Sequence, residues 1–129
     1  MKPISKNIGI ALLLCAPLSA LAADLVRGAR LFGSRCASCH SIGPSAHAGF
    51  GPHLNGVFGR RAGSAPDFRY SPAMAKSNIV WNDKNLAAFL DEPDEVVPGT
   101  RMRFWGMGNA NQVADLLAYL RSHQGTKAR

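Results

Sequence analysis

The stretch Cys36-Ala37-Ser38-Cys39-His40 places two thiols three positions apart and an imidazole directly after the second. C-x-x-C-H is the attachment signature of a covalently bound haem, in which each thiol adds to one vinyl group and the histidine reaches the iron from one face. Two other chemistries share the spacing. A redox dithiol of the thioredoxin kind sits in a βαβ setting, and this sequence contains no convincing alternating strand. A zinc site needs further Cys or His at ligand spacing, and no second Cys pair exists. Haem is therefore the reading, and it poses the folding problem: a short chain must wrap one large apolar group.

Upstream of the motif lies a segment to be set aside. Lys2 and Lys6 form a positive start, Ile8 to Leu14 an apolar run, and Ala20-Leu21-Ala22 an A-x-A cleavage signal. This is the pattern of an export leader, and the run is too short to span a bilayer. Cys15 follows Leu14 rather than a small residue, which argues against lipid attachment there. The expectation is a cleaved signal peptide over 1–22, a single domain over 23–129, and residence in the periplasm. Cleavage removes two lysines and no acid, lowering the formal charge from +7 to +5, and leaves two of the three cysteines. A disulfide-stapled secreted domain would spread its cysteines along the chain. Here they are confined to one motif, so a buried cofactor supplies the missing core.

Downstream, the periodicities are helical. Asp24 is a plausible N-cap for a helix carrying Leu25, Ala29 and Phe32 and ended by Gly33 and the cysteine motif. Residues 41–80 are rich in Gly, Pro, Ser and Asn and follow neither period; so long an irregular stretch suits a chain that wraps something. Asn82 caps a short helix with Leu86, Phe89 and Leu90, stopped by Pro93. Asn109 to Gln112 resembles a capping box ahead of a last helix with Val113, Leu116, Leu117 and Leu120 on one face. The fold class is all-α, with few helices and long loops.

Spacing leaves the second axial position of the iron open. Met74, Met102, Met107, His47, His53 and His123 are candidates, as is an open site, and Met102 has only a modest lead over Met107. Met102 stands in the rigid turn Val97-Pro98-Gly99-Thr100-Arg101-Met102, although a methionine often does no more than fill a core.

From about Gly28 to Leu120 the chain resembles the class I c-type cytochromes, in particular the mitochondrial cytochrome c branch and its bacterial relatives. The resemblance is carried by Cys36-Ala-Ser-Cys-His40, Gly51-Pro52-His53-Leu54-Asn55-Gly56, Phe58-Gly59-Arg60, Trp81, Pro98-Gly99-Thr100-Arg101-Met102, Phe104 and Asp115-Leu116-Leu117-Ala118-Tyr119-Leu120. It implies the class I cytochrome c fold around one covalently bound haem c. It implies thioether bonds from Cys36 and Cys39, iron ligation by His40 and Met102, and a Pro52 carbonyl that orients His40. Arg60, Tyr70 and Trp81 would donate to the haem propionates; Leu54, Leu86, Leu90 and Phe104 would line the haem. Gly28 and Phe32 would meet Leu116 and Tyr119 where the terminal helices cross.

The implied activity is one-electron transfer without enzymatic turnover. The rivals are a peroxidase-like enzyme and a gas or redox sensor, both of which need a labile sixth ligand. Phe89 stands where many relatives carry a tyrosine whose hydroxyl reaches the methionine sulfur, and Met74 where they carry an asparagine. Asp94 and Glu95 replace basic residues of the loop, so that loop offers no lysine to displace Met102. Arg30, Arg35, Arg101 and Arg103 remain around the haem edge. With no continuous basic stripe and an exported location, nucleic acid is not a partner. An acidic face on a membrane oxidase, a quinol:cytochrome c oxidoreductase or a periplasmic dehydrogenase is the expected partner of a monomer.

Overall fold

The computed structural model describes residues 18–127. Its elements are α1 (Leu18–Arg35), α2 (Pro72–Ala75), α3 (Asp83–Asp91), α4 (Pro93–Val96) and α5 (Ala110–Ser122). Among the described residues there is no strand, only an isolated antiparallel bridge between Arg61 and Val80. The all-α expectation with long loops holds.

The frame is the crossing of α1 and α5. Gly28 is buried, and a Cβ there would lie 2.1 Å from the Asp115 carbonyl oxygen and 2.7 Å from Tyr119 Cβ. Only a residue without a side chain lets the two backbones come this close. Phe32 packs against Tyr119 with ring centroids 5.7 Å apart, and Leu116, 1% exposed, is the most deeply buried large side chain. Arg27 Nε donates to Asp115 Oδ2 at 2.8 Å across the crossing and also pairs with Asp24.

Asp24 is not an N-cap. The helix starts at Leu18, because the run Leu18-Ser-Ala-Leu-Ala-Ala23 is made mostly of strong helix formers. The helix also outlasts Gly33 by two residues, to Arg35. It then widens, with the Cys36 N–H donating to the Phe32 carbonyl in the helical pattern and the Ala37 N–H reaching the same carbonyl from five positions on, both at 2.9 Å. α1 thus runs through Ala22, the position after which cleavage is expected; residues 1–17 of that leader lie outside the described residues.

α3 begins where Asn82 was expected to cap it. The side chains of Asn82 and Asn85 each accept from the other's backbone N–H, a reciprocal capping box. Before α5, Asn109 caps the Asn111 and Gln112 N–H groups at 3.0 and 3.1 Å, but the return bond from Gln112 is not formed among the described residues. Pro93 ends α3 and opens α4 in the same step, since its fixed φ suits a first helical position. The small helices α2 and α4 escape a reading by hydrophobic period, being only four residues each.

Candidate cofactor site

The loops between these helices enclose a cavity of about 690 Å³, well within the size range of small-molecule sites, about 300–1,000 Å³. Cys36, Cys39, His40, Pro52, Arg60, Tyr70, Trp81, Met102 and Phe104 all line it, as do Leu54, Leu86 and Leu90. Every residue singled out for the site is therefore on one wall or another of a single space.

The turn after α1 presents the motif. The His40 and Cys39 N–H groups donate to the Cys36 carbonyl at 2.9 and 3.0 Å, which curls both thiols and the imidazole toward the cavity. No disulfide joins the two thiols. Burial pushes the Cys36 thiol up to about 11, with the Arg35 charge opposing and Cys39 adding to the shift. A reactive redox dithiol needs the opposite, a thiol made acidic by its surroundings. The surroundings of Cys36 act in the other direction, and no metal-binding cluster of three or more His, Cys, Asp or Glu exists among the described residues.

His40 is held on two sides. Its Nδ1 lies 2.8 Å from the Pro52 carbonyl oxygen; a carbonyl only accepts, so Nδ1 carries the proton and Nε2 keeps its lone pair for a metal. Burial lowers the His40 pKa, and the nearby Arg60 charge lowers it further against the raising effect of the Pro52 bond. Burial and the Arg60 charge thus both favour the neutral ring that a ligand must be. Against its face lies Gly51, where a Cβ would sit 2.5 Å from Cε1 and 2.7 Å from Nδ1. Gly51 was visible in the sequence as part of a motif, but its role as a fixed clearance for the imidazole was not. A glycine beside the orienting proline is the signal that marks it.

The polar end of the cavity has donors and no acid of its own. Arg60 donates to the Asn55 and His53 carbonyls at 3.2 and 3.0 Å, and no carboxylate of the described residues pairs with it. Burial lowers its pKa while Tyr70 and Asp67 pull it back up. The Tyr70 hydroxyl accepts from the Ala65 N–H at 3.3 Å, leaving its own proton unspent. Trp81 is buried and packs on Phe89 at 5.1 Å between centroids, with no hydrogen bond from its indole N–H among the described residues. Half-buried donors without an acid suit a ligand that brings its own carboxylates.

The candidates for the far side of the iron separate by position. Met107 is buried, and its N–H donates to the Leu90 carbonyl at 2.8 Å on a separate surface groove between α3 and α5. His47 donates from Nδ1 to the Ser45 carbonyl at 3.0 Å, and His123 forms the C-cap of α5; neither lines the cavity. Nor does His53, whose Nδ1 is buried without a partner. Met102 and Met74 are the two thioethers on the cavity wall, and no lysine lines it. Phe68 and Arg69 also line it; an aromatic two positions before Tyr70 was the available hint.

Comparison with known proteins gives the family. The family model for cytochrome c matches residues 25–124. The chain is 42% identical to cytochrome c2 of Rhodomicrobium vannielii over 118 residues, covering 92% of this chain and 93% of that protein. It is 38% identical to cytochrome c2 of Blastochloris viridis over 113 residues, 88% of each chain. With cytochrome c of Theileria annulata the identity is 45% over 98 residues, 76% of this chain and 84% of that one. The chain belongs to the cytochrome c family, as an all-α electron carrier of class I that holds one covalently attached haem c and is not an enzyme.

Proposed function

We propose that the protein carries single electrons in the periplasm, with its haem bound through Cys36 and Cys39 and its iron ligated by His40 and Met102. The observation that supports this most is the convergence of all nine site residues on one cavity, with His40 Nε2 left free by the Pro52 bond. When bound, haem c supplies a one-electron iron couple, and the protein supplies ligation, dryness and electrostatics.

Pro52 and Gly51 hold the His40 ring in one orientation, so ligation costs little reorganisation. Met102 brings a thioether, which favours the ferrous state and raises the potential. Leu54, Leu86, Phe89, Leu90 and Leu116 keep water out, which disfavours the extra ferric charge in the same direction. Arg60, Tyr70 and Trp81 donate to the propionates, whose burial would otherwise be costly. The leader pattern over 1–22 supports export with cleavage, and no described helix is long and apolar enough to cross a membrane. A membrane oxidase, a quinol:cytochrome c oxidoreductase or a periplasmic dehydrogenase is the partner, met as a monomer in brief encounters of the small kind usual for redox pairs.

The test is optical. The ferric protein is expected to show the near-infrared methionine–iron charge-transfer band and to bind cyanide slowly. A missing band together with rapid cyanide or carbon monoxide binding would mean an open iron, and would overturn the His40/Met102 assignment.

A further inference from the structure

Trp105 is 102% exposed, and it directly follows Arg101, Met102, Arg103 and Phe104, all of which line the cavity. The backbone that carries it is fixed. Gly106 has φ +86 and packs so tightly on α3 that a Cβ would lie 2.2 Å from the Asp91 carbonyl oxygen. The next residue, Met107, is tied to Leu90. From α1, Arg35 donates to the Gly106 carbonyl at 3.2 Å, and its guanidinium carbon lies 5.5 Å from the centre of the Phe104 ring. The residues on both sides of the indole are braced while the indole itself stands in water.

That combination is unusual for a residue whose burial removes about 150–250 Å² of surface from water. Phe50, 90% exposed, is also flanked by hydrogen-bonded glycines, but it lines the cavity itself, whereas Trp105 does not. A rigidly presented aromatic loses little freedom on binding, and Trp and Arg are the residues most enriched among interface anchors. The surroundings state the partner's chemistry. Arg35 and Arg101 are exposed and have no acid partner among the described residues, whereas Arg103 is already paired with Asp94 at 3.7 Å. A second copy of this chain would set arginine against arginine. A lipid surface is better served by a broad apolar face than by one indole.

We propose that Trp105 is the anchor with which the protein docks on its redox partner: the indole enters an apolar recess in an acidic protein surface, and Arg35 and Arg101 meet carboxylates at the rim. This rests on the carrier reading above, and Arg35 serves as a positioning residue. The haem-loaded ferrous protein would be mixed with oxidase-containing membranes of the organism that carries the gene, and separately with ferricyanide. Trp105→Ala is expected to slow oxidation by the membranes at least about tenfold, the loss typical of an interface anchor. Its potential, its ferricyanide rate and the salt dependence of the membrane reaction stay as in the wild type. Trp105→Phe recovers part of the rate. Membrane rates for Trp105→Ala within twofold of wild type would overturn the proposal. So would flotation on anionic phospholipid vesicles that Trp105→Ala abolishes while the membrane rate is kept, or a wild-type dimer in sedimentation that Trp105→Ala dissolves. Wild-type protein that reacts with ferricyanide but exchanges electrons with no membrane donor or acceptor would instead break the carrier reading, and the anchor with it.

Discussion

The two parts of the cavity wall that carry His40 and Met102 are held in different ways. The His40 wall is built from neighbours in sequence: the Gly51 N–H donates to the Cys39 carbonyl at 2.8 Å and the Leu54 N–H to the Ser41 carbonyl at 3.0 Å, with Pro52 on the imidazole. The Met102 wall is braced from a distance, by Arg35 of α1 and by Leu90 and Asp91 of α3. Around the ligand itself the Met102 N–H donates to Thr100 Oγ1 at 3.3 Å, and Phe89, the aromatic nearest in role, has no hydroxyl. His40 is set by neighbours in sequence, Met102 by tertiary docking. The Met102 side therefore depends on contacts from distant segments, and the His40 side does not.

The largest effects break each wall in its own way. Gly51→Ala drives a Cβ into the imidazole, and Gly106→Ala drives one into the Asp91 carbonyl at a positive φ. Each is expected to cost about 3 kcal/mol, the upper range for overpacking, read as a lower guanidinium midpoint. The signatures differ: Gly51→Ala perturbs His40 ligation, whereas Gly106→Ala keeps it and lets the ferrous protein bind carbon monoxide. Identical spectra for the two variants would erase the distinction between the walls.

Met102→Ala and Met74→Ala come next. Both thioethers line the cavity, but only Met102→Ala should remove the near-infrared band. Met74→Ala should keep the band and lower stability by about 2 kcal/mol, the low end for a partly buried methionine. Loss of the band in Met74→Ala would reassign the ligand.

A smaller change sharpens the contrast from the other direction. Phe89→Tyr offers the Met102 sulfur a hydroxyl donor worth about 1 kcal/mol, or roughly fivefold in an equilibrium. Cyanide affinity of the ferric protein should fall by that factor, and unchanged affinity would mean that the hydroxyl does not reach the sulfur.

The smallest effect lies in the frame and leaves both walls alone. Arg27 holds the Asp115 carboxyl below its ordinary value, by hydrogen bonding first and charge second. A lowered carboxylate contributes stability above its ordinary value, and that contribution is lost as the pH falls through the lowered one. Arg27→Gln should flatten this acid-side loss in urea midpoints and leave the haem spectrum unchanged.

Much of this was legible in the residues. Cys36, Cys39 and His40 identify a cofactor because their chemistry is local, and Asn82, Pro93 and Asn109 mark helix ends because capping is local too. The choice between Met102 and Met107 was not legible from spacing. It depends on Gly106 turning the chain so that Met107 faces α3 rather than the cavity. The start of α1 was misread because Asp24 has the chemistry of a cap, while the alanine- and leucine-rich residues before it carry the helix through. The small helices α2 and α4, the clearance at Gly51 and the brace from Arg35 to Gly106 are relations between distant segments, and no window along the chain contains them.

The bare backbone at Gly28 also governs the order of events when the protein is made. Arg27 and Asp115 are 88 positions apart, so the crossing at Gly28 cannot form while the chain is still short. Contacts of such separation close late, after the entropy of the intervening loop has been overcome. Until α5 is available, α1 has no partner, and the Cys36–His40 turn at its end stays accessible. The close approach that locks the finished fold thus also postpones it, leaving an interval in which the thiols can be reached by the haem they are to hold.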